Sequence, residues 1–287
     1  MNRQNTQNNL NGGLAFLIMI ALFMLISFIG QSILNSASVT GGKLFYAISA
    51  TFSLIAMAIV IVYAKKTSKN SLIEVVSFNK TKSVYFVFAI ILSIGMFLGL
   101  GFLNTVVANL FTKWGLNVPS SGLTVENGWD LLLFGILLAL LPAVLEESFF
   151  RGVMLKSEKS LGIVISVSVC FALYHGSVAT LCYQFIYGLA LTYLAVKSQS
   201  TAPSMLAHFI NNFAVLLFTL LRVQINLFNG VIIAVGLLLL ALFWVGIILY
   251  QKEKPKADKN AVKEFWLPSG VLGAGLMVLL IVLNLFA

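Results

Sequence analysis

Very few side chains in this sequence combine acid–base chemistry with an apolar setting. Of nine acidic residues, only Glu146 and Glu147 lie deep within apolar sequence, in the stretch LLALLPAVLEESFFRG. The two histidines of the chain, His175 and His208, also lie in apolar segments. A carboxylate and two imidazoles can activate a water molecule, either as a base with its partners or around a zinc ion. These four side chains therefore hold nearly all the proton-transfer and metal-ligand chemistry within apolar sequence.

Helical spacing separates the two adjacent glutamates. Residues four apart share one face of a helix, whereas direct neighbours point about 100° apart. Glu147 and Arg151 are four apart, so we expect these two side chains to pair. Glu146 then points in another direction and is free to face a site. Taken alone, a glutamate and an arginine at this spacing more often form a structural ion pair.

The same spacing places a polar or aromatic group beside each histidine. His208 and Asn212 are four apart, which projects an imidazole and a carboxamide together, and a carboxamide can donate to a developing oxyanion. Phe171 and His175 are also four apart, which places an aromatic wall beside the second imidazole. Each pair alone is also typical of packing or of a polar contact between helices. Every acidic residue and histidine of the apolar segments falls into one of three compact clusters, around Glu146, His175 and His208. Packing alone does not explain this concentration.

The composition shows which kind of molecule must position these groups. The chain has 287 residues, of which 60% are hydrophobic and 9% charged, with a mean hydropathy of +1.00. Soluble domains carry about 45–50% apolar and about 25% charged residues. The composition therefore excludes an ordinary soluble enzyme, a disordered tail and a nucleic-acid binder. It predicts an all-α fold, a polytopic bundle of transmembrane helices.

Nine apolar segments follow one another along the chain. Crossing the hydrocarbon takes about 20 helical residues, and most of these segments are long enough. A polar tail is predicted at 1–12 and a single membrane domain at 13–287, with the catalytic core at about 129–221. The spacing of Gly95 and Gly99 predicts a close contact between two helices. The segments lie at 14–34, 45–64, 84–111, 129–155, 162–176, 178–196, 202–221, 228–250 and 267–287.

The basic residues predict the orientation of the bundle. If nine helices alternate, the N-terminus and the even-numbered loops share a side that holds fifteen basic residues, against three on the other side. The positive-inside rule then predicts a multi-pass protein of the plasma membrane, with the N-terminus in the cytoplasm and the C-terminus outside. The lysine-rich loops at 65–82 and 251–265 are interpreted as topology determinants or as contacts to anionic lipid head groups.

The three clusters together resemble a known family. Residues 146–151 match EExxxR, residues 171–175 match FxxxH and residues 208–212 match HxxxN. In this order and spacing, they resemble the CPBP family of CAAX proteases and bacteriocin-processing enzymes, also called the Abi family. The resemblance covers about 129–221. Members of that family often have eight helices, so eight or nine helices are expected here.

The resemblance implies that the chain is a hydrolase, an intramembrane endopeptidase of the membrane-bound CAAX type. Glu146 would be the general base that activates water, and His175 would assist it. His208 and Asn212 would stabilise the oxyanion, or His208 would bind a metal. Glu147 and Arg151 would be the supporting pair, with Phe171 beside the site.

The cofactor and the substrate stay open at this stage. The family carries a metalloprotease label, for which Glu146, His175 and His208 would be the zinc ligands, but a metal-free glutamate mechanism is the alternative. The expected partners are membrane lipids and membrane-associated peptides or prenylated proteins cleaved near the cytoplasmic face. A non-catalytic bacteriocin self-immunity or scaffold protein of the same fold is the second hypothesis. A transporter would instead show structural repeats and broken helices around a midplane site.

Overall fold

A computed structural model describes residues 10–118, 123–155, 160–223, 225–250 and 259–286. Every regular element within these ranges is a helix, which confirms the predicted fold class. Most of the predicted tail at 1–12 lies outside the described residues, and the first helix begins at Gly12. Lys156, Lys159 and the lysines of 251–258, which enter the charge count above, also lie outside them.

The described part of the chain forms ten helices. Seven of them, α1, α2, α4, α5, α8, α9 and α10, are long and apolar enough to cross a membrane. The helices are α1 Gly12–Ser36, α2 Gly42–Lys66, α3 Leu72–Val75, α4 Val84–Lys113, α5 Gly128–Met154, α6 Leu161–Tyr174, α7 Leu181–Ser198, α8 Ala202–Leu220, α9 Gly230–Tyr250 and α10 Asn260–Phe286.

Two of the nine predicted segments become helices that differ from the membrane spans. Helix α6 has 14 residues, about 21 Å at 1.5 Å per residue, which is too short for the hydrocarbon core. Helix α7 reaches 18 residues but is less apolar than the spans. Most side chains of α7 are buried against other helices, so its polar residues face protein rather than lipid.

Contacts between loops and helix ends show that the helices alternate in direction. Val76, before α4, lies against Gly152 near the end of α5, and a Cβ on Gly152 would lie 2.7 Å from the Cα of Val76. The backbone N–H of Thr201, before α8, donates to Ser77 O at 2.9 Å. The Nζ of Lys82 lies 5.3 Å from the ring centre of Tyr250, where α9 ends. All three contacts lie at the same end of the bundle, which we call the basic end.

The start of α1 also lies at the basic end. Asn11 Nδ2 donates to the carbonyl of Glu264 in α10 at 3.1 Å, and Gly12 packs against the carbonyl of Met154. The predicted grouping of the N-terminus with the even-numbered loops therefore appears in the fold.

A separate set of contacts defines the opposite end. Lys43 at the start of α2 pairs with Glu126 at 2.8 Å and with Asp130 of α5 at 2.6 Å. The backbone N–H of Asn117, after α4, donates to Leu285 O near the end of α10 at 3.0 Å. Residues near the two chain termini therefore lie at opposite ends of the bundle.

The predicted glycine contact joins α4 to α9. A Cβ on Gly99 would lie 2.8 Å from the carbonyl carbon of Gly236, and a Cβ on Gly236 would lie 2.1 Å from the backbone nitrogen of Gly99. A Cβ on Gly95, one turn earlier, would lie 3.1 Å from Leu240. Small residues allow the two backbones to approach, so van der Waals packing rather than polar contacts joins this helix pair.

We therefore expect Gly236→Ala to destabilise the bundle, because the added methyl group overlaps the backbone of α4. Overpacking of this kind costs about 1–3 kcal/mol. Gly275→Ala in α10 is the matched control, since its Cβ meets no atom within 4 Å. Unfolding in detergent micelles, followed by circular dichroism, measures both. Equal stability of the two variants would contradict the close contact.

Candidate active site

Helix α5 changes its winding on both sides of the two glutamates. Its turns Gly135–Leu140 and Ser148–Met154 are π-helical, and the α-helical turn Leu141–Glu147 between them carries Glu146 and Glu147. A π turn closes with i→i+5 hydrogen bonds and is frequent at functional sites. The wider turns rotate the residues that follow them, and both glutamates point into the bundle, where they are buried.

Glu147 lies at the centre of a buried polar network. Arg151 Nη1 donates to Glu147 Oε1 at 2.8 Å, so the pair expected from the four-residue spacing is present. His208 Nδ1 lies 2.8 Å from the same oxygen. Since a carboxylate only accepts, Nδ1 carries the proton in this contact, and the neutral ring has its lone pair on Nε2.

Helix α7 holds the other side of Arg151. Its Nε donates to Thr192 Oγ1 at 3.2 Å, and its Nη2 donates to Gly188 O at 3.1 Å. The guanidinium carbon lies 4.2 Å from the ring centre of Phe171, a cation–π distance. Sequence reasoning missed Thr192 and Gly188, because α7 shows no charge or motif that would indicate an arginine partner.

Glu146 lacks the short ion pair that its neighbour Glu147 forms with Arg151. The Oε2 atoms of Glu146 and Glu147 are both buried without a hydrogen-bond partner among the described residues. The hydroxyl of Tyr174 also lies beside the Glu146 carboxylate, and His208 Nε2 lies 3.8 Å from Glu146 Oε2. This distance is too long for a direct hydrogen bond. One carboxylate oxygen and one imidazole lone pair therefore face the same small space.

His175 lies where α6 ends and is linked to this space through an aromatic ring. Its Nδ1 lies 2.8 Å from Phe171 O, so Nδ1 donates and Nε2 carries the lone pair. The ring of Phe171 is 4.7 Å from the His175 ring and 5.8 Å from the His208 ring, centre to centre. Phe171 thus contacts both imidazoles and the guanidinium of Arg151.

Asn212 lies one turn after His208 and bonds to the interrupted part of α5. Its Nδ2 donates to Leu138 O at 3.2 Å. In an α-helix this carbonyl would bond to the N–H of residue 142, but Pro142 has none. Asn212 therefore donates to a carbonyl that lacks its α-helical partner.

A chain of hydrogen bonds continues from Asn212 to α7. Asn211 Nδ2 donates to Asn212 Oδ1 at 3.4 Å, and Tyr183 donates through its hydroxyl to Asn211 Oδ1 at 2.6 Å. The carboxamide of Asn212 is thus oriented from both sides. Asn211 has a sequence signal as the neighbour of the motif asparagine, whereas Tyr183 has none.

The predicted zinc ligands are Glu146, His175 and His208. Among the described residues, no group of three His, Cys, Asp or Glu side chains is arranged to hold a metal ion. Two features are compatible with ligation, because the Nδ1 atoms of His175 and His208 both bond to oxygen and leave Nε2 free. As they stand, these side chains do not form a ligand set. Zinc stays a prediction.

Arg151→Met should destabilise the protein strongly, because it leaves the Glu147 carboxylate buried without its cation. Breaking a buried pair costs about 3–5 kcal/mol. Glu126→Gln, in the exposed pair with Lys43, is the matched control and should destabilise the protein far less, because solvent screens an exposed pair. Unfolding in micelles measures both, and the double variant Glu147→Gln/Arg151→Met should recover part of the loss. Equal losses for Arg151→Met and Glu126→Gln would show that the pair contributes little.

Comparison with known proteins supports the resemblance seen in the motifs. Residues 128–214 match the family model described as Type II CAAX prenyl endopeptidase Rce1-like. No curated protein matches the chain. The matched residues include Glu146, His175, His208 and Asn212, and the family implies membrane location and protease activity in general. The resemblance to the CPBP family of CAAX proteases is therefore confirmed for the segment that carries the candidate site.

Proposed function

We propose that this chain is an intramembrane endopeptidase in which Glu146 is the general base. The observation that carries the proposal is the buried, unpartnered Oε2 of Glu146, 3.8 Å from His208 Nε2. A buried polar atom without a partner is costly and calls for an explanation. A water molecule held between these two atoms would satisfy both of them and would be the nucleophile of the reaction.

The geometry suits a single activated water. An oxygen about 2.8 Å from each atom can bridge a 3.8 Å separation and donate one hydrogen to Glu146 and one to His208. We assign Glu147 a supporting role, because its Oε1 binds Arg151 and His208, although its Oε2 also has no hydrogen-bond partner among the described residues. The neighbouring glutamates therefore have different tasks, one as base and one as support.

The reaction follows from these positions. The water oxygen attacks the carbonyl carbon of the scissile peptide bond while one of its protons passes to Glu146. The tetrahedral intermediate collapses when the C–N bond breaks, and Glu146 returns the proton to the leaving nitrogen. The products are a carboxylic acid and an amine. His175, with its free Nε2, assists by accepting a hydrogen bond beside the site.

The oxyanion needs donors on the opposite side of the carbonyl. Asn212 uses one N–H for Leu138 O and keeps a second donor, whose direction is set by the chain through Asn211 and Tyr183. His208 keeps Nε2 as the acceptor of the attacking water, because its Nδ1 is held by Glu147. The oxyanion donor and the water acceptor therefore both lie on α8, one turn apart.

The depth of the site suits a membrane-anchored substrate. His208 lies seven residues from Thr201, about 10 Å below the basic end of the bundle. We place this end on the cytoplasmic side of the plasma membrane, because the lysines of the chain concentrate at this end. A prenylated peptide would hold its lipid in the bilayer and present its carboxyl-terminal residues at this depth, in accordance with the CAAX prenyl endopeptidase description of the matched family.

Glu146→Gln should abolish cleavage and leave the fold unchanged, because glutamine keeps the shape but cannot take the proton. The loss of a general base is expected to lower kcat by about 10²–10⁴-fold. The measurement uses purified protein in liposomes with fluorescence-quenched peptides ending in a prenylated cysteine and three further residues.

Glu126→Gln, in the exposed pair with Lys43 at the opposite end of the bundle, is the control for this variant and should cleave like wild type. Cleavage by Glu146→Gln at the wild-type rate would contradict the proposal. Wild type and Glu146→Gln could both fail to cleave the peptides and yet protect cells equally in an immunity assay. That result would support the hypothesis of a non-catalytic immunity or scaffold protein.

Asn212→Ala should lower kcat by about 10²–10³-fold with little change in KM, because an oxyanion donor acts in the transition state. The steady-state kinetics of the same peptides separate the two constants. A rise in KM at constant kcat would instead assign Asn212 to substrate binding.

A further inference from the structure

The loop between α2 and α4 combines exposed lysines with exposed apolar side chains. Leu72, Ile73 and Phe78 are 50%, 57% and 49% exposed, although they lie between two spans and outside the helices that cross the membrane. The exposed lysines of the same stretch are Lys66, Lys69, Lys80 and Lys82.

The single acidic residue in this loop is held locally. Glu74 accepts the backbone N–H of Ser71 at 2.7 Å, and the backbone N–H of Glu74 lies 3.3 Å from Ser71 Oγ, which forms a capping box. These bonds lower the pKa of Glu74 from its ordinary value. The carboxylate is therefore committed to the start of α3, and the surface of the loop has an excess of positive charge.

Apolar side chains exposed between lysines are typical of a segment in the membrane interface. The apolar groups enter the boundary of the acyl chains, while the ammonium groups stay among the head groups. Neutral head groups would satisfy the apolar part alone, whereas anionic head groups also complement the lysines. We propose that residues 66–82 form a docking surface for the anionic head groups of the bilayer leaflet at the basic end.

Hydrogen bonds fix this surface to the turn before α8. Thr201 Oγ1 donates to Val76 O at 3.0 Å, and Ser200 Oγ donates to Asn79 O at 2.7 Å. In return, Thr81 Oγ1 donates to Ser198 O at 2.8 Å. The close packing of Gly152 on Val76 adds α5 to the same unit.

The attachment has a consequence for the candidate site. Helix α8 carries His208 and α5 carries Glu146, so the docking surface and both residues belong to one packed unit. Lipid binding at residues 66–82 therefore sets the depth of the site below the leaflet. This inference concerns lipid binding and is independent of whether the site cleaves peptides.

The test measures where the loop lies relative to the lipid. A nitroxide is attached to the full chain at Asn70→Cys, an exposed position between Lys69 and Leu72, with the exposed Cys182 changed to serine and the buried Cys170 retained. The protein is reconstituted in vesicles of phosphatidylcholine alone, and of phosphatidylcholine and phosphatidylglycerol in equal amounts. Power saturation with a water-soluble nickel complex measures the aqueous accessibility of the label.

We expect aqueous accessibility to fall by about threefold or more when phosphatidylglycerol is present, because the lysines draw the loop into the head groups. Lys69→Gln/Lys80→Gln should remove most of this difference. The matched control, Lys113→Gln/Arg222→Gln, removes two exposed charges away from the loop and should retain it.

Three results would overturn the proposal. The label could be equally accessible in both kinds of vesicle. The two double variants could also show the same difference in accessibility between the vesicles. A soluble polyglutamate peptide could also protect the label in vesicles where phosphatidylglycerol does not, which would assign the loop to an acidic protein partner. Circular dichroism melts of each variant ensure that folded proteins are compared.

Discussion

The buried carboxylate of Glu147 is the group on which the geometry of the candidate site depends. A charge inside a membrane protein persists only when an opposite charge and hydrogen bonds compensate it. Arg151 supplies the charge, and His208 shares the same oxygen at 2.8 Å. Because Nδ1 of His208 is committed to this contact, Nε2 faces Glu146 as an acceptor. One ion pair thus sets the tautomer and direction of an imidazole on another helix.

The irregular backbone of α5 serves the same arrangement. Non-helical hydrogen bonding at membrane depth is tolerated where neighbouring helices satisfy the freed groups. Pro142 leaves the carbonyl of Leu138 without its usual partner, and Asn212 of α8 donates to it. The π turns on either side direct both glutamates inward. The irregular winding of α5 and the position of Asn212 are therefore linked by one hydrogen bond.

The lipid-facing helices and the buried helix α7 are held in the bundle by different kinds of contact. The apolar spans, such as α4 and α9, pack through small residues at Gly99 and Gly236, where backbones meet closely. Helix α7 instead buries polar side chains, including Thr192 and Tyr183, and uses them to hold Arg151 and Asn211. Bonds from the α2–α4 loop to the turn before α8 then connect this interior to the basic end.

The sequence by itself determined the fold class and the approximate positions of the membrane spans, because hydropathy is a local property, and four-residue spacing predicted the candidate reactive groups. Local spacing was also sufficient for the pair of Glu147 and Arg151. Only the tertiary structure decided that His208 bonds to Glu147 and that α7 anchors Arg151. Those contacts join residues 37 to 61 positions apart, and their geometry depends on how the helices pack. No periodicity within one helix carries that information, which is why Thr192, Gly188 and Tyr183 were missed.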